Sequence, residues 1–568
     1  MTACAAVSGL VAAKRTAVAA VIVLTACGAP PAPSATAPAS PAVAGVQAPS
    51  NQSLPLIQVS LSNLSKTLHP YPDSASYTDS WITVSTLLWG GGFGGGRLLS
   101  FDWDSLTYLP AMARALPAVS ADGKTYTFTL RDDVKWSDGT PVTVDDFIFA
   151  YDNARDPANG YVQLGVVQDV ASFRAPDSHT LEVTLAEAKP ADVALGIASS
   201  IVPVPRRVWQ GKPWNDASAN PEILNPSVVL GPFRQREYDV AVRGVFVPVE
   251  TYYRGAPKVP EVHLLPAQQP TVAYQMLSSG RVNWAPHIPP SQYQDARANP
   301  DLTTYRWDAA NAQYRVVEFN LRRPFLSDHR VREALARALS RSDILDVAEQ
   351  GLGSPAYGFI APANTKWLNP HLEPYDVDVA RAKRLLADAG YTLRGQQLIG
   401  KDGQPVTLVA YYPTSSAPRG KLATYMQQQY KELGIELDVR GLDFSAYTDQ
   451  VFTKKDFDIS LGTYGGGQID PDLSAKPQFV TGGQQNVTGY SNPRVDQLYK
   501  EGANQLDEAR RKQIYDEIQK TVVDDLPDYF VYSLVSWSVA AKKVQGILPH
   551  KSADLSYNDA LLSWSVAR

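Results

Sequence analysis

Residues 125–130 read TYTFTL. Tyr126, Phe128 and Leu130 are apolar and alternate with Thr125, Thr127 and Thr129. That period of two predicts a strand with one buried and one polar face. Asp122-Gly123 before it is a hairpin turn signal. Downstream, Ser137-Asp138-Gly139 marks another turn and Pro141 stays outside the next helix. Thr143 stands where an N-cap belongs, with Asp146 three residues on as the capping carboxylate. Phe147, Ala150 and Tyr151 then share one helical face. The same grammar runs along the chain. Leu54 to Leu61 alternates as a strand, and Asp79 to Leu88 reads as a short helix. Asp378 caps a helix whose Val379, Ala382, Leu385, Leu386 and Ala389 share a face, ended by Gly390. Leu433 to Val439 reads as a strand, and Ile514, Ile518 and Val522 lie on a helix that Pro527 terminates. Helices alternating with strands predict an α/β fold with a partly parallel sheet.

Six aspartates crowd the stretch from Leu130 to Asp152: Asp132, Asp133, Asp138, Asp145, Asp146 and Asp152. A calcium loop would set oxygens at alternate positions and close on a bidentate Glu, and no such Glu follows. A catalytic pair would face one pocket, whereas Asp145 and Asp146 are neighbours on a helix and point apart. The aspartates divide among turns, a cap and a solvated helix surface. The run Gly90 to Gly96 contains a Gly-x-Gly-x-x-Gly at Gly90, Gly92 and Gly95. It follows a helix and lacks the Gly-Lys-Ser/Thr ending of a phosphate loop, so it reads as a connection.

The start of the chain concerns location. Lys14 and Arg15 flank an apolar run, Thr16 to Leu24. The run is shorter than the roughly 20 residues that span a bilayer and fits a secretory signal. It ends in Leu24-Thr25-Ala26-Cys27, which resembles a bacterial lipobox, so Cys27 is the expected lipidation site. Gly28 to Gln52 is rich in Pro, Ala and Ser and is expected to be an extended tether, with a coil reach of some ~30 Å. The other cysteine, Cys4, lies inside the signal, so a mature chain starting at Cys27 has no second thiol for a disulfide or a zinc site.

At 568 residues, two or three domains are expected. A net charge of −5 gives no field that would draw nucleic acid. With 28 Tyr and 11 Trp, some rings are available to line a cleft for flat, amphipathic solutes.

Several motifs in order resemble family 5 extracellular solute-binding proteins, the dipeptide-, oligopeptide- and nickel-binding lipoproteins of ABC importers. They are Asp122 to Arg131 with Lys135 to Gly139 and Pro141 to Thr143; Gly231-Pro232-Phe233 with Tyr252 to Gly255; Glu318-Phe319-Asn320 with Pro324-Phe325, Asp328 and Val331 to Leu335; Asp378 to Tyr391; and Asn486 to Leu498. The third resembles the pattern "AFN…PF.D.RVR.AL". The resemblance covers about Leu54 to Arg568. It implies a two-lobed, periplasmic-binding-protein-like fold of the cluster C type, with an extra small lobe and a hinge between the main lobes. One main lobe would comprise about 53–100, 192–305 and 529–568, the small lobe 101–191, and the second main lobe 306–528. It further implies a monomer that takes no cofactor, held at the outer face of the membrane by lipid, with a solute and an ABC permease as partners.

The resemblance also proposes a site. Leu461 to Asp472 resembles the family's "GW.gD..DPD" loop. In peptide binders an Asp three residues before the Asp-Pro-Asp holds the peptide's ammonium group; counting back from Asp470 gives Gly467, and Tyr464 replaces the Trp. The expected ligand-binding residues are Tyr464, Gly466, Gly467, Asp470 and Asn320. With that charge missing, either ordinary peptides bind poorly and an oligosaccharide or other uncharged solute is favoured, or Asp470 or Asp472 takes the role in a shifted loop.

The competing class is a secreted hydrolase such as a glycosidase. His69, His179, His263, His287, His329, His371 and His550 are scattered, with no His-Glu-x-x-His and no Gly-x-Ser-x-Gly. The pairs Asp102/Asp104, Asp376/Asp378 and Asp470/Asp472 lack a partner at metal spacing. Two distant carboxylates would leave no sequence signature, so the alternative stands beside the binder.

Overall fold

The computed structural model describes residues 54–60, 64–73, 76, 79–90, 95–267, 269–286, 288–465, 470–548 and 560–568. The signal, Cys27, the tether, Gly466 and Gly467 lie outside them.

The alternating stretch around Tyr126 forms strand Thr125–Thr129, with Tyr126 and Phe128 buried. It pairs antiparallel with Thr180–Leu185 in a four-stranded sheet that runs from Ala118–Val119 to Val170–Arg174. Helix Val144–Ala154 opens with the Thr143/Asp146 capping box and buries Phe147, Ala150 and Tyr151. Asp146 itself is not on a solvated surface. Its carboxylate is buried and accepts from Thr143 N at 2.9 Å, Trp136 Nε1 at 3.2 Å and Arg206 N at 2.9 Å. One cap therefore also ties a turn and a distant helix start to this lobe.

A seven-stranded sheet has the order Leu302–Trp307, Ser536–Ala541, Trp284–Pro286, Leu56–Ser60, Val262–Pro266, Arg243–Pro248, Phe233–Asp239. Its centre is parallel, Leu56–Ser60 against Val262–Pro266, and the following pairs are antiparallel hairpins. A six-stranded sheet has the order Gly353–Pro355, Asp528–Leu534, Gln313–Phe319, Ile459–Gly465, Thr407–Pro413, Glu436–Leu442. There, Thr407–Pro413 runs parallel to both Glu436–Leu442 and Ile459–Gly465. Helix Ala417–Glu432 makes the first crossover and buries Leu422, Ala423, Met426 and Tyr430. Its end shifts the expected strand: Leu433 is the C-cap, Gly434 takes φ +78°, and extended backbone starts only at Glu436.

The four- and seven-stranded sheets share one continuous apolar core, which joins Phe128 and Phe147 to Trp284 and Trp564. A separate core serves the six-stranded sheet, from Val316 through Met426 to Ile518. This is the two-lobed α/β fold. The chain passes between the lobes at 308–312, after strand Leu302–Trp307, and again at Val535. The second crossing corrects the expected boundary at 528/529. Strand Asp528–Leu534 pairs with Gln313–Phe319 and Gly353–Pro355, so it belongs to the six-stranded lobe.

Candidate functional site

Both crossings are packed rather than open. Tyr293, Leu352 and Val535 form a buried cluster with Trp537 beside it. Phe101, Trp103 and Leu106 pack with Ala310, and Ala363 lies against them. Polar contacts span the same seam. Arg306 donates to Gly353 O at 2.9 Å, and Ser354 donates to Asp308 at 2.7 Å. Farther out, Lys366 of the six-stranded lobe pairs with Asp192, on helix Ala191–Ala198 of the other lobe, and with Glu508 at 2.8 Å. Lys366 also lies over the Trp367 ring, 5.6 Å from its centroid. The two lobes are thus joined by two packed crossings and an ionic clasp. No sequence pattern pointed to Lys366 or Asp192.

Strand Ile459–Gly465 carries the loop expected to meet solute. Tyr464 is buried against the six-stranded core, 8% exposed, and its hydroxyl donates to Glu318 Oε1 at 2.5 Å. Its ring leans on Tyr314, with centroids 6.4 Å apart. Asp470 caps helix Pro471–Phe479 by accepting from Asp472 N at 3.0 Å. The same carboxylate takes a bidentate pair from Arg511, at 2.5 and 2.9 Å. The Arg511 guanidinium, 3% exposed, is sandwiched over Trp367 and Tyr515, 5.0 Å from each centroid. Asp472 accepts from the Tyr515 hydroxyl at 2.9 Å and from Lys476 at 3.1 Å. Asn320 is 1% exposed; its Nδ2 donates to Lys455 O at 3.1 Å and Phe457 O at 2.8 Å. Asn320, Tyr464 and Asp470 therefore have their polar groups engaged inside the lobe; Tyr464 and Asp470 flank the loop, whereas Asn320 sits at the other end of the strand, beside Ile459, and is not brought to it. Gly466 and Gly467 lie outside the described residues.

Glu318, on the neighbouring strand, is the buried partner of Tyr464. It stands where the family pattern "AFN" has Ala, and it lies directly opposite Ser460 on one side and Asp528 on the other. Burial pushes the Glu318 carboxyl up to about 6. Burial also pushes Asp528 well above the usual carboxylate range, and the Glu318 charge adds to that. The misfit of a Glu in an apolar family position was the one available sequence signal.

Among the described residues no cluster of three or more His, Cys, Asp or Glu is set to hold a metal ion, and no helix is long and apolar enough to cross a membrane.

Comparison with known proteins fits this architecture. Residues 107–486 match the family of bacterial extracellular solute-binding proteins, family 5 Middle. The dipeptide-binding protein DppE of Bacillus subtilis (strain 168) is 25% identical over 463 residues, covering 78% of this chain and 81% of that protein. The periplasmic oligopeptide-binding protein OppA of Escherichia coli (strain K12) is 25% identical over 473 residues, covering 77% and 81%. The solved ABC transporter substrate binding protein CtaP of Listeria monocytogenes has the same fold, with a TM-score of 0.76 at 24% identity over 91% of this chain and 100% of that one. With more than half of its length inside the family match, the chain belongs to the family 5 bacterial extracellular solute-binding proteins and is an extracytoplasmic solute binder rather than an enzyme.

Proposed function

We propose that this protein captures a peptide-like or oligosaccharide-like solute between its two main lobes. It then delivers the solute to the transmembrane subunits of an ABC importer, as a monomer held at the outer face of the cell membrane by lipid on Cys27. The observation that carries the reading is a family 5 chain whose two lobes are crossed twice and clasped by Lys366 and Asp192. Two packed crossings suit hinge closure around a ligand. Relatives named for dipeptides and oligopeptides support a peptide-like solute. On this reading Gly466 and Gly467 meet the solute, while Tyr464 and Asp470 hold the two ends of their loop in shape.

The loop favours a neutral solute end over a free ammonium group. Gly467 replaces the Asp of peptide binders, and Asp470 and Asp472 already serve Arg511, Tyr515 and Lys476. A buried ammonium without a counter-charge costs several kcal/mol. Titration calorimetry with a mixed peptide pool and a β-linked oligosaccharide set tests the reading. Submicromolar peptide binding that is lost on acetylating the amino terminus would refute the neutral-end reading. Binding of neither pool would refute the solute class itself.

A further inference from the structure

Lys366 makes three contacts at once. It pairs with Asp192 on helix Ala191–Ala198 of the other lobe, it pairs with Glu508 at 2.8 Å, and it lies 5.6 Å from the centroid of the Trp367 ring. Glu508 opens helix Glu508–Asp525, which also carries Arg511 and Tyr515. Spacings of three and four residues put these side chains on one helix face. Trp367 is 2% exposed, and its ring takes a second cation, Arg511, at 5.0 Å. Tyr515 meets the same ring edge-on at 5.8 Å.

Arg511 is held at each of its nitrogens. Its Nε donates to Gly502 O at 2.9 Å, and its terminal nitrogens donate to the two Asp470 oxygens at 2.5 and 2.9 Å. Tyr515 donates to Asp472 at 2.9 Å. Asp470 in turn caps helix Pro471–Phe479. A planar guanidinium clamped by a carboxylate fork and stacked on rings moves only with its partners, so a shift of the Trp367 ring is carried to Asp470. The contacts form one series: Asp192, Lys366, Trp367, Arg511, Asp470. Its first link joins the two lobes. Its last fixes the start of helix Pro471–Phe479.

We propose that Trp367 is a positioning residue that couples lobe closure to the loop ending at Asp470. The Lys366–Asp192 pair sets the ring against Arg511 and so fixes Asp470 and the helix it caps. Coupling of this kind is reciprocal, so a solute that orders the helix start also strengthens the clasp. The proposal rests on the solute-binding reading for what the loop meets. Its test needs no solute, so its failure is separate from that of the titrations above.

Hydrogen exchange read by mass spectrometry on the ligand-free full chain tests it, in the parent, D192N, K366M, K366R, W367L and the D192N/W367L double variant. The readout is helix Pro471–Phe479, and the control is helix Ala417–Glu432 of the same lobe. D192N and K366M are each expected to speed exchange in the first helix by about 3- to 10-fold, the scale of a cation–π contact at a buried ring, and to leave the control unchanged. K366R keeps the charge and can still stack, so it is expected to match the parent. In W367L the first helix is expected to exchange fast already, and adding D192N to change nothing more, because the ring that carries the effect is gone. Unchanged exchange in D192N and K366M overturns the proposal. So does equal acceleration of both helices, which is loosening of the whole lobe. A D192N effect that persists in full in folded W367L overturns it too. If W367L does not fold, the other three variants decide. Acceleration confined to helix Pro471–Phe479 in D192N and K366M, and absent from K366R, supports the coupling; any other pattern overturns it.

Discussion

Glu318 and Asp528 are paired across adjacent central strands and are 1% and 3% exposed. Glu318 Oε2 and Asp528 Oδ1 are both buried without a partner. Directly opposed side chains in an antiparallel pair have Cβ atoms about 4.5–5.5 Å apart, too close for two desolvated carboxylates to ionise together. The pair therefore keeps a proton. Tyr464 donates to the other Glu318 oxygen, and the Arg419 charge favours ionisation without reversing the upward shift. Tyr314 and Tyr447 also feel the Glu318 charge. A carboxyl raised on folding contributes stability that is complete below its unfolded value, 4.5 for Glu318, and is lost as pH rises through about 6. Glu318→Gln removes that loss and gives Asp528 an amide donor. Its unfolding free energy from urea titration should exceed the parent's at pH 8 by about 1–3 kcal/mol, and the two should converge below the unfolded value of 4.5. A Glu318→Gln advantage of the same size at both pH values would sink the shared-proton assignment.

Helix Val144–Ala154 tests whether its acidic start is structural. Asp145 is exposed and faces Arg206 at 3.5 Å, a surface pair worth little. Asp146 is buried and accepts from four donors on three residues. Asp146→Ala should cost about 3 kcal/mol or more in denaturant unfolding, while Asp145→Ala costs less than about 0.5 kcal/mol. Equal losses would mean that the capping box adds nothing beyond helix-end charge. The two strands that begin at Gln313 and end at Leu534 play a different part. They carry the acid pair and also lead out of the six-stranded lobe at its two crossings.

The Lys366 clasp acts between lobes. Lys366 and Asp192 are 18% and 27% exposed, whereas Glu508, 63% exposed, adds little. Lys366→Met should leave each lobe's core intact and weaken closure by about 1 kcal/mol. In X-ray scattering, the ligand-free variant should have a larger radius of gyration than the parent, and saturating solute should bring the two together. Identical radii in both states would remove the clasp from the closure mechanism. At the membrane, Cys27→Ala should release the protein or leave its signal uncut. A fatty-acid analogue that labels Cys27→Ala as strongly as the parent would exclude lipidation there.

Much of this protein was legible in order along the chain because its causes are local. Caps at Thr143 and Asp378, the alternation around Tyr126 and the helical face at Ile514 each depend on neighbours within a turn or a strand, and the structure has all of them. Family membership was legible for the same reason, since its motifs are short runs of turns, caps and faces. The start of strand Glu436–Leu442 was misjudged by a few residues, because apolar Leu433 and Ile435 serve a helix end and the core before the ladder begins. The site was far less legible. Nothing local in the sequence brings Asp192 to Lys366, Asp470 to Arg511 or Glu318 to Asp528. Each is a juxtaposition of segments distant in the chain, set by sheet register and lobe packing. Hydrophobic and polar periodicity determined which elements form and which faces they bury; only the tertiary structure decided which charges meet across those faces, because an ion pair's worth depends on burial and distance, and neither is written in the order of residues.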